Sequence, residues 1–251
     1  MTIQYCSDLH LEFSENNNFL KNNPLIPKGE ILLLAGDIMP FSRLKKEQPF
    51  FDFVADHFEH TYWIPGNHEY YHADCKDRTG PVREAIRSNV TLVNDTVVQH
   101  KDVKLICTTL WSHISPENEH LVHQAMSDFL VIQDHGKNFL PASFNRLHDA
   151  SKTFLTEALK QPAQKTVVIT HHVPTLMNYP EKFRASALNE AFAVELFDLI
   201  EASKAQYWIY GHHHQGVPDF KIGDSTLTSN QLGYLKYGEH VGFGFDRCID
   251  L

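Results

Sequence analysis

The stretch Ile31-Leu32-Leu33-Leu34-Ala35-Gly36-Asp37 decides the fold. An uninterrupted apolar run that stops at a glycine is expected of a strand buried on both faces, as in sheets covered by helices. The residue just beyond the run, Asp37, is a metal-ligand type, and the same context recurs along the chain. Ile3–Ser7 leads into Asp8-Leu9-His10, and Tyr62–Ile64 runs through Pro65 into Gly66-Asn67-His68-Glu69. Thr166–Thr170 leads into His171-His172, and Tyr207–Tyr210 into Gly211-His212-His213-His214. Five polar clusters thus follow five strands, and ligands gather at the carboxyl ends of strands in open α/β sheets.

Between these strands the pattern changes period. Pro49 is placed as a helix N1 residue, with Phe50, Val54 and Phe58 following at helical spacing. Phe144–Lys160 reads as an amphipathic helix, and Asn189 as the cap of a helix over Glu190–Ser203. Val97–His100 and Lys104–Thr109 read as an antiparallel hairpin. Phe220–Ser229 and Val241–Asp246 read as strands, and the polar stretch Ser14–Asn23 as an exposed loop. Alternating strands and helices followed by a strand-rich end predict two packed sheets with helices outside, an α/β fold. The 251 residues, 42% hydrophobic, suit one domain over 1–251, with the stretch 113–143 as a pocket-shaping insertion.

Composition narrows the function. A formal net charge of -9 argues against a broad nucleic-acid groove. The scattered Cys6, Cys75, Cys107 and Cys248 form no CxxC pair, so reduced thiols are expected. The N-terminal sequence shows no secretory pattern and no apolar run approaches the ~20 residues of a membrane helix, so a cytoplasmic protein is expected. Oligomeric state leaves no mark on the sequence.

The chemistry lies in the five clusters. Imidazole, carboxylate and amide oxygen suit Mn, Fe, Zn, Ni or Co, and there are enough donors for two ions. Two divalent metals about 3.5–4 Å apart form a device for in-line displacement at phosphorus. If the backbone stays extended past the strand, Asp8 and His10 face one way, as do His212 and His214, and alternation turns His172 and His213 aside. Gly36 and Gly66 stand where a strand must turn sharply. Glu69 reads equally as a partner orienting a ligand and as a helix-starting carboxylate, and Arg184 as a solvated loop residue.

In order and in full, these motifs resemble the calcineurin-like metallophosphoesterase superfamily: Asp8-x-His10, Gly36-Asp37, Gly66-Asn67-His68-Glu69, His171 and Gly211-His212-x-His214. The resemblance implies a four-layer α/β/β/α sandwich. It also implies that Asp8, His10 and His214 hold one metal ion, that Asn67, His171 and His212 hold a second, and that Asp37 bridges them. His68 would then be catalytic, poised over the substrate, and an activated hydroxide would attack phosphorus. Protein Ser/Thr phosphatases carry GDxVDRG where this chain has Gly36-Asp37-Ile38-Met39-Pro40. A small phosphodiester or nucleotide is therefore the expected substrate. A phosphomonoesterase and a non-catalytic protein-binding scaffold are the alternatives. The stretches Thr109–Ser112, Met126-Ser127-Asp128-Phe129 and Ser229-Asn230-x-x-Gly233-Tyr234 resemble a bacterial branch of undefined substrate, and they carry no assigned role.

Overall fold

A computed structural model describes residues 1–45, 48–161 and 163–251. Its strands are β1 (Thr2–Cys6), β2 (Ile31–Ala35), β3 (His60–Ile64), β4 (Val82–Arg87), β5 (Val90–Asn94), β6 (Thr96–His100) and β7 (Val103–Cys107). There follow β8 (Gln133–Asp134), β9 (Lys137–Asn138), β10 (Lys165–Ile169), β11 (Tyr207–Tyr210), β12 (Phe220–Ile222), β13 (Ser225–Ser229) and β14 (Cys248–Asp250). The α-helices are α1 (Ser14–Asn22), α2 (Gln48–His57), α3 (Glu119–Ala125), α4 (Asp128–Val131), α5 (Pro141–Lys160) and α6 (Phe197–Ala202).

Two mixed six-stranded sheets form, in the orders β14-β1-β2-β3-β5-β4 and β12-β13-β11-β10-β7-β6. Alternation along each strand builds the layers. Ile3, Tyr5, Ile31, Leu33 and Ile64 of the first sheet meet Leu105, Cys107, Val167, Ile169 and Ile209 of the second. Their neighbours Leu32, Leu34 and Trp63 face outward against Phe51 and Val54 of α2. On the far side Ile106, Val168 and Trp208 pack against Leu155 and Ala158 of α5 and Ile200 of α6. The result is the four-layer α/β/β/α sandwich, with all of β2 buried. Lys104, buried in β7, donates Nζ to Ala158 O (2.6 Å) and Gln161 O (2.7 Å), closing the carboxyl end of α5. Among the described residues no helix is long and apolar enough to cross a membrane, and the four cysteines are unpaired.

Three segments differ from their expected form. Ser14–Asn22 is helical, with one face, Asn16 and Leu20, turned inward. Asn16 is buried and donates to Leu9 O (3.0 Å) and Gly233 O (2.8 Å), and Leu20 packs into the core. The helix expected over Glu190–Ser203 is confined to its end, α6; ahead of it a 3₁₀ turn, Ala187–Ala191, is capped by Ser186 rather than Asn189. Residues 192–194 then exchange backbone bonds with Val173, which holds them extended until α6 begins. Val241–Asp246 forms no strand. It contains Gly242 at φ +99° and is tied by Asn230, which exchanges bonds with Gly244, so Cys248–Asp250 pairs with β1 instead.

Candidate metal centre

The five clusters leave the carboxyl ends of β1, β2, β3, β10 and β11 and converge on one rim. The backbone there is not extended. Asp8 (φ 56°), His10 (47°), Asp37 (55°), His212 (82°) and His214 (49°) all lie in the left-handed region, so the extended-chain expectation is corrected. Each strand turns abruptly at its end, and Leu9 still enters the core, fully buried. Gly66 has no room for a side chain, since a Cβ would fall on Asp37 Oδ1 and 2.6 Å from His171 Nε2.

Among the described residues three groups of donor atoms result, one of them His10, Glu12 and His68, and the other two share Asp37. Of the two that share Asp37, Asp8, His10, Asp37 and His214 form one and Asp37, His171 and His212 the other. His10 Nε2 lies 3.0 Å from His214 Nε2, and His171 Nε2 lies 3.0 Å from His212 Nδ1. The other ring nitrogens fix what these atoms carry. His171 Nδ1 donates to Ala35 O (2.9 Å) and His212 Nε2 to Ala191 O (3.2 Å). A carbonyl only accepts, so in the neutral imidazoles the facing nitrogens present lone pairs to one another. His10 Nδ1 is likewise on Glu12 Oε1 (3.2 Å) and His214 Nδ1 on Glu239 Oε2 (2.7 Å). Nitrogens facing each other at this distance need a positive charge between them, as a shared proton or as a metal ion.

Asn67 adds an independent sign. Its Nδ2 donates to Asp128 Oδ1 (3.0 Å), which leaves its buried Oδ1 with no hydrogen-bond partner. An orphaned acceptor at this depth is costly unless an ion completes it. Electrostatics point the same way. Burial disfavours charge on His171 and His214, yet Asp37 and Asp8 outweigh it and push these imidazoles up to about 9 and about 10. The carboxylates thus demand positive charge where the donors converge, and metal uptake would release protons. The donor set fits two divalent ions of the Mn, Fe, Zn, Ni or Co type.

His68 belongs to neither of the groups that share Asp37, although its ring lies 4.4 Å from that of His10. Its Nδ1 donates to Glu12 Oε1 (2.8 Å), its Nε2 is 3.2 Å from the Tyr234 hydroxyl, and Tyr71 stacks on its ring at 4.0 Å. Burial opposes protonation of His68, but Asp37 and Glu12 outweigh it and raise its pKa. Burial likewise works against the Glu12 carboxylate, but hydrogen bonds from His10 and His68 hold it down at about 2. Glu69 organises the turns: its carboxyl accepts from Asp37 N (2.9 Å), Ile38 N (2.7 Å), Gly66 N (2.6 Å) and Trp63 Nε1 (3.1 Å).

Glu12, Asp128, Tyr234 and Glu239 surround the donors, and the motif spacing alone did not mark them. His172 is buried against His212 at 4.2 Å with neither ring nitrogen bonded. His213, expected to turn aside, lines the cleft. Arg184 is exposed and paired with Glu181. Removing the carboxylate that orients Asn67, by Asp128→Ala, is expected to weaken metal affinity about 10–100-fold. Metal titration by calorimetry checks this, and unchanged affinity would show that Asn67 needs no orienting partner.

A sequence profile described as calcineurin-like phosphoesterase matches residues 1–216. The chain belongs to that family. This phosphoesterase is therefore a metal-dependent phosphoester hydrolase, of a family that works with two metal ions. It is 28% identical to an uncharacterized protein of Acanthamoeba polyphaga mimivirus, over 92% of this chain and 91% of the other. The phosphopantetheinyl hydrolase of Mycobacterium tuberculosis shares its fold at a TM-score of 0.71 and 16% identity, covering 99% of this chain and 95% of that one. A putative 5'-nucleotidase from Staphylococcus aureus aligns at a TM-score of 0.50 and 16% identity, over 91% of the phosphoesterase and 48% of its own length.

Proposed function

We propose that this phosphoesterase hydrolyses a small phosphodiester. Asp8, His10 and His214 would hold one ion, Asn67, His171 and His212 the other, and Asp37 would bridge them. When bound, the ions supply Lewis acidity and lower the pKa of water from about 15.7 towards about 7.

The chain's own groups position the rest. Glu12 anchors His68 through Nδ1, leaving the Nε2 proton at the cleft for the departing oxygen. The hydroxyl of Tyr234, 3.2 Å from that nitrogen, restrains the ring from the other side. Ala125, Met126 and Ser127, from the stretch 113–143, wall the cleft and so shape it.

The observation that carries the diester reading is a pair of recesses flanking the cleft of about 340 Å³, one sharing Tyr234 with it and the other Phe183, Phe192 and His213. One adjoins Tyr234, whose ring packs on His10 (4.6 Å) and His214 (4.5 Å), and is lined by Phe13 and Tyr237. The other adjoins Phe192, whose ring stacks on His212 at 4.8 Å. A recess beside each half of the donor cluster matches an ester with two organic substituents. A monoester needs only one.

The test uses protein loaded with each candidate metal in turn. Turnover of bis(p-nitrophenyl) phosphate should exceed that of p-nitrophenyl phosphate by about tenfold or more in kcat/KM, the scale of one substituent binding in a pocket. Equal or greater monoester turnover would overturn the diester assignment, and an inert, metal-free protein would return the scaffold alternative.

A further inference from the structure

The recess beside His212 has a chemistry of its own. It encloses about 230 Å³ and is bounded by Tyr179, Phe183, Leu188, Phe192 and His213, of which Phe183, Phe192 and His213 also line the cleft. A cavity of about 150 Å³ accepts benzene, so this one has room for a planar ring but not for a long chain. Its walls are apolar and aromatic on several sides, which favours a flat π-face.

His213 supplies the polar element. It is 6% exposed, and its Nδ1 accepts from Gln231 Nε2 (3.0 Å) and from Gln215 N (3.3 Å). A nitrogen that accepts a backbone N–H carries the lone pair, so the proton is on Nε2. Among the described residues no hydrogen bond reaches that Nε2–H. A donor left free on the wall shared by cleft and recess is available to an acceptor on whatever enters.

We propose that this recess is a subsite for a planar heteroaromatic ring, with the His213 Nε2–H donated to a ring nitrogen or carbonyl. The substrate is then a diester in which one substituent is a nucleoside or a similar ring-bearing alcohol. The assignment rests on the diester reading above and narrows it.

Three diesters with the same leaving group separate the two. They are p-nitrophenyl thymidine phosphate, p-nitrophenyl phenyl phosphate and methyl p-nitrophenyl phosphate, which offer a ring with acceptors, a ring without them, and no ring. Wild-type kcat/KM should rank them in that order, with the thymidine ester about tenfold above the methyl ester, in line with ring stacking energies. Leu188→Trp, which fills the recess, should bring the thymidine-to-methyl ratio close to one. His213→Ala should remove most of the thymidine-to-phenyl difference while the phenyl-to-methyl difference persists. Metal content measured on each variant shows whether the centre is intact, and Leu188→Trp keeps the test alive if His213→Ala loses metal. Equal use of all three esters by the wild type, or ratios unmoved by Leu188→Trp, overturns the subsite and leaves the diester reading standing. Failure to hydrolyse any of them overturns both.

Discussion

Replacing His68 with alanine is expected to lower kcat about 10²–10⁴-fold, the usual contribution of a positioned acid or base, while two equivalents of metal stay bound. The separation follows from where His68 makes its bonds. Its side chain bonds Glu12 and Tyr234 and packs on Tyr71 and on the edge of His10, and none of its ring atoms belongs to the two groups that share Asp37. What His68 gives the centre is its backbone N–H, donated to Asp37 Oδ1 at 2.9 Å, and alanine retains that group. Single-turnover kinetics with an aryl phosphodiester, together with metal analysis of the same sample, decide the matter. A variant within threefold of wild type would remove His68 from the chemistry, and one that loses metal would make it part of the centre.

Gly66→Ala is expected to do more damage with less chemistry. Its methyl group would land on Asp37 Oδ1 and 2.6 Å from His171 Nε2, so either the loop after β3 or both of these side chains must move. Overpacking of this kind costs about 1–3 kcal/mol in stability. Displacement of the reacting groups by about 1 Å costs about 10²-fold in rate. Gly216→Ala is the control, since a Cβ there meets nothing within 4 Å. Urea unfolding and metal titration should show Gly66→Ala weakened in both respects and Gly216→Ala unchanged in both. A fully active Gly66→Ala that binds two metal equivalents would mean that the packing around Asp37 yields easily.

The fold was legible where burial is extreme. β2 is apolar throughout because both of its faces are covered, and so the run from Ile31 to Ala35 could be read directly. α1 was not legible, because Asn16 is stabilised by Leu9 O and Gly233 O, carbonyls distant in sequence that no local pattern contains. The site divides in the same way. Candidates that follow a strand in a recognisable spacing could be named from the sequence and do converge, whereas the residues bonded to them could not be named. Asp128 and Tyr234 have as partners Asn67 and His68, from the turn after β3 and far away in sequence. Glu239 reaches His214 from a turn whose form depends on Gly233 at φ +67°. Glu12 offered one local clue, its place two residues beyond His10, where it bonds both His10 and His68.

Left-handed backbone at five of the candidate donors constrains what can ever stand there. For an L-residue that conformation costs about 1–2 kcal/mol, least for aspartate, asparagine and histidine. The carboxylates at those positions, Asp8 and Asp37, are aspartates, whereas the glutamates Glu12, Glu69 and Glu239 all reach in from backbone of negative φ. A lineage carrying this scaffold can therefore exchange donors only within a three-letter alphabet. A drift toward cysteine- or glutamate-rich coordination would have to rebuild the ends of three strands at once.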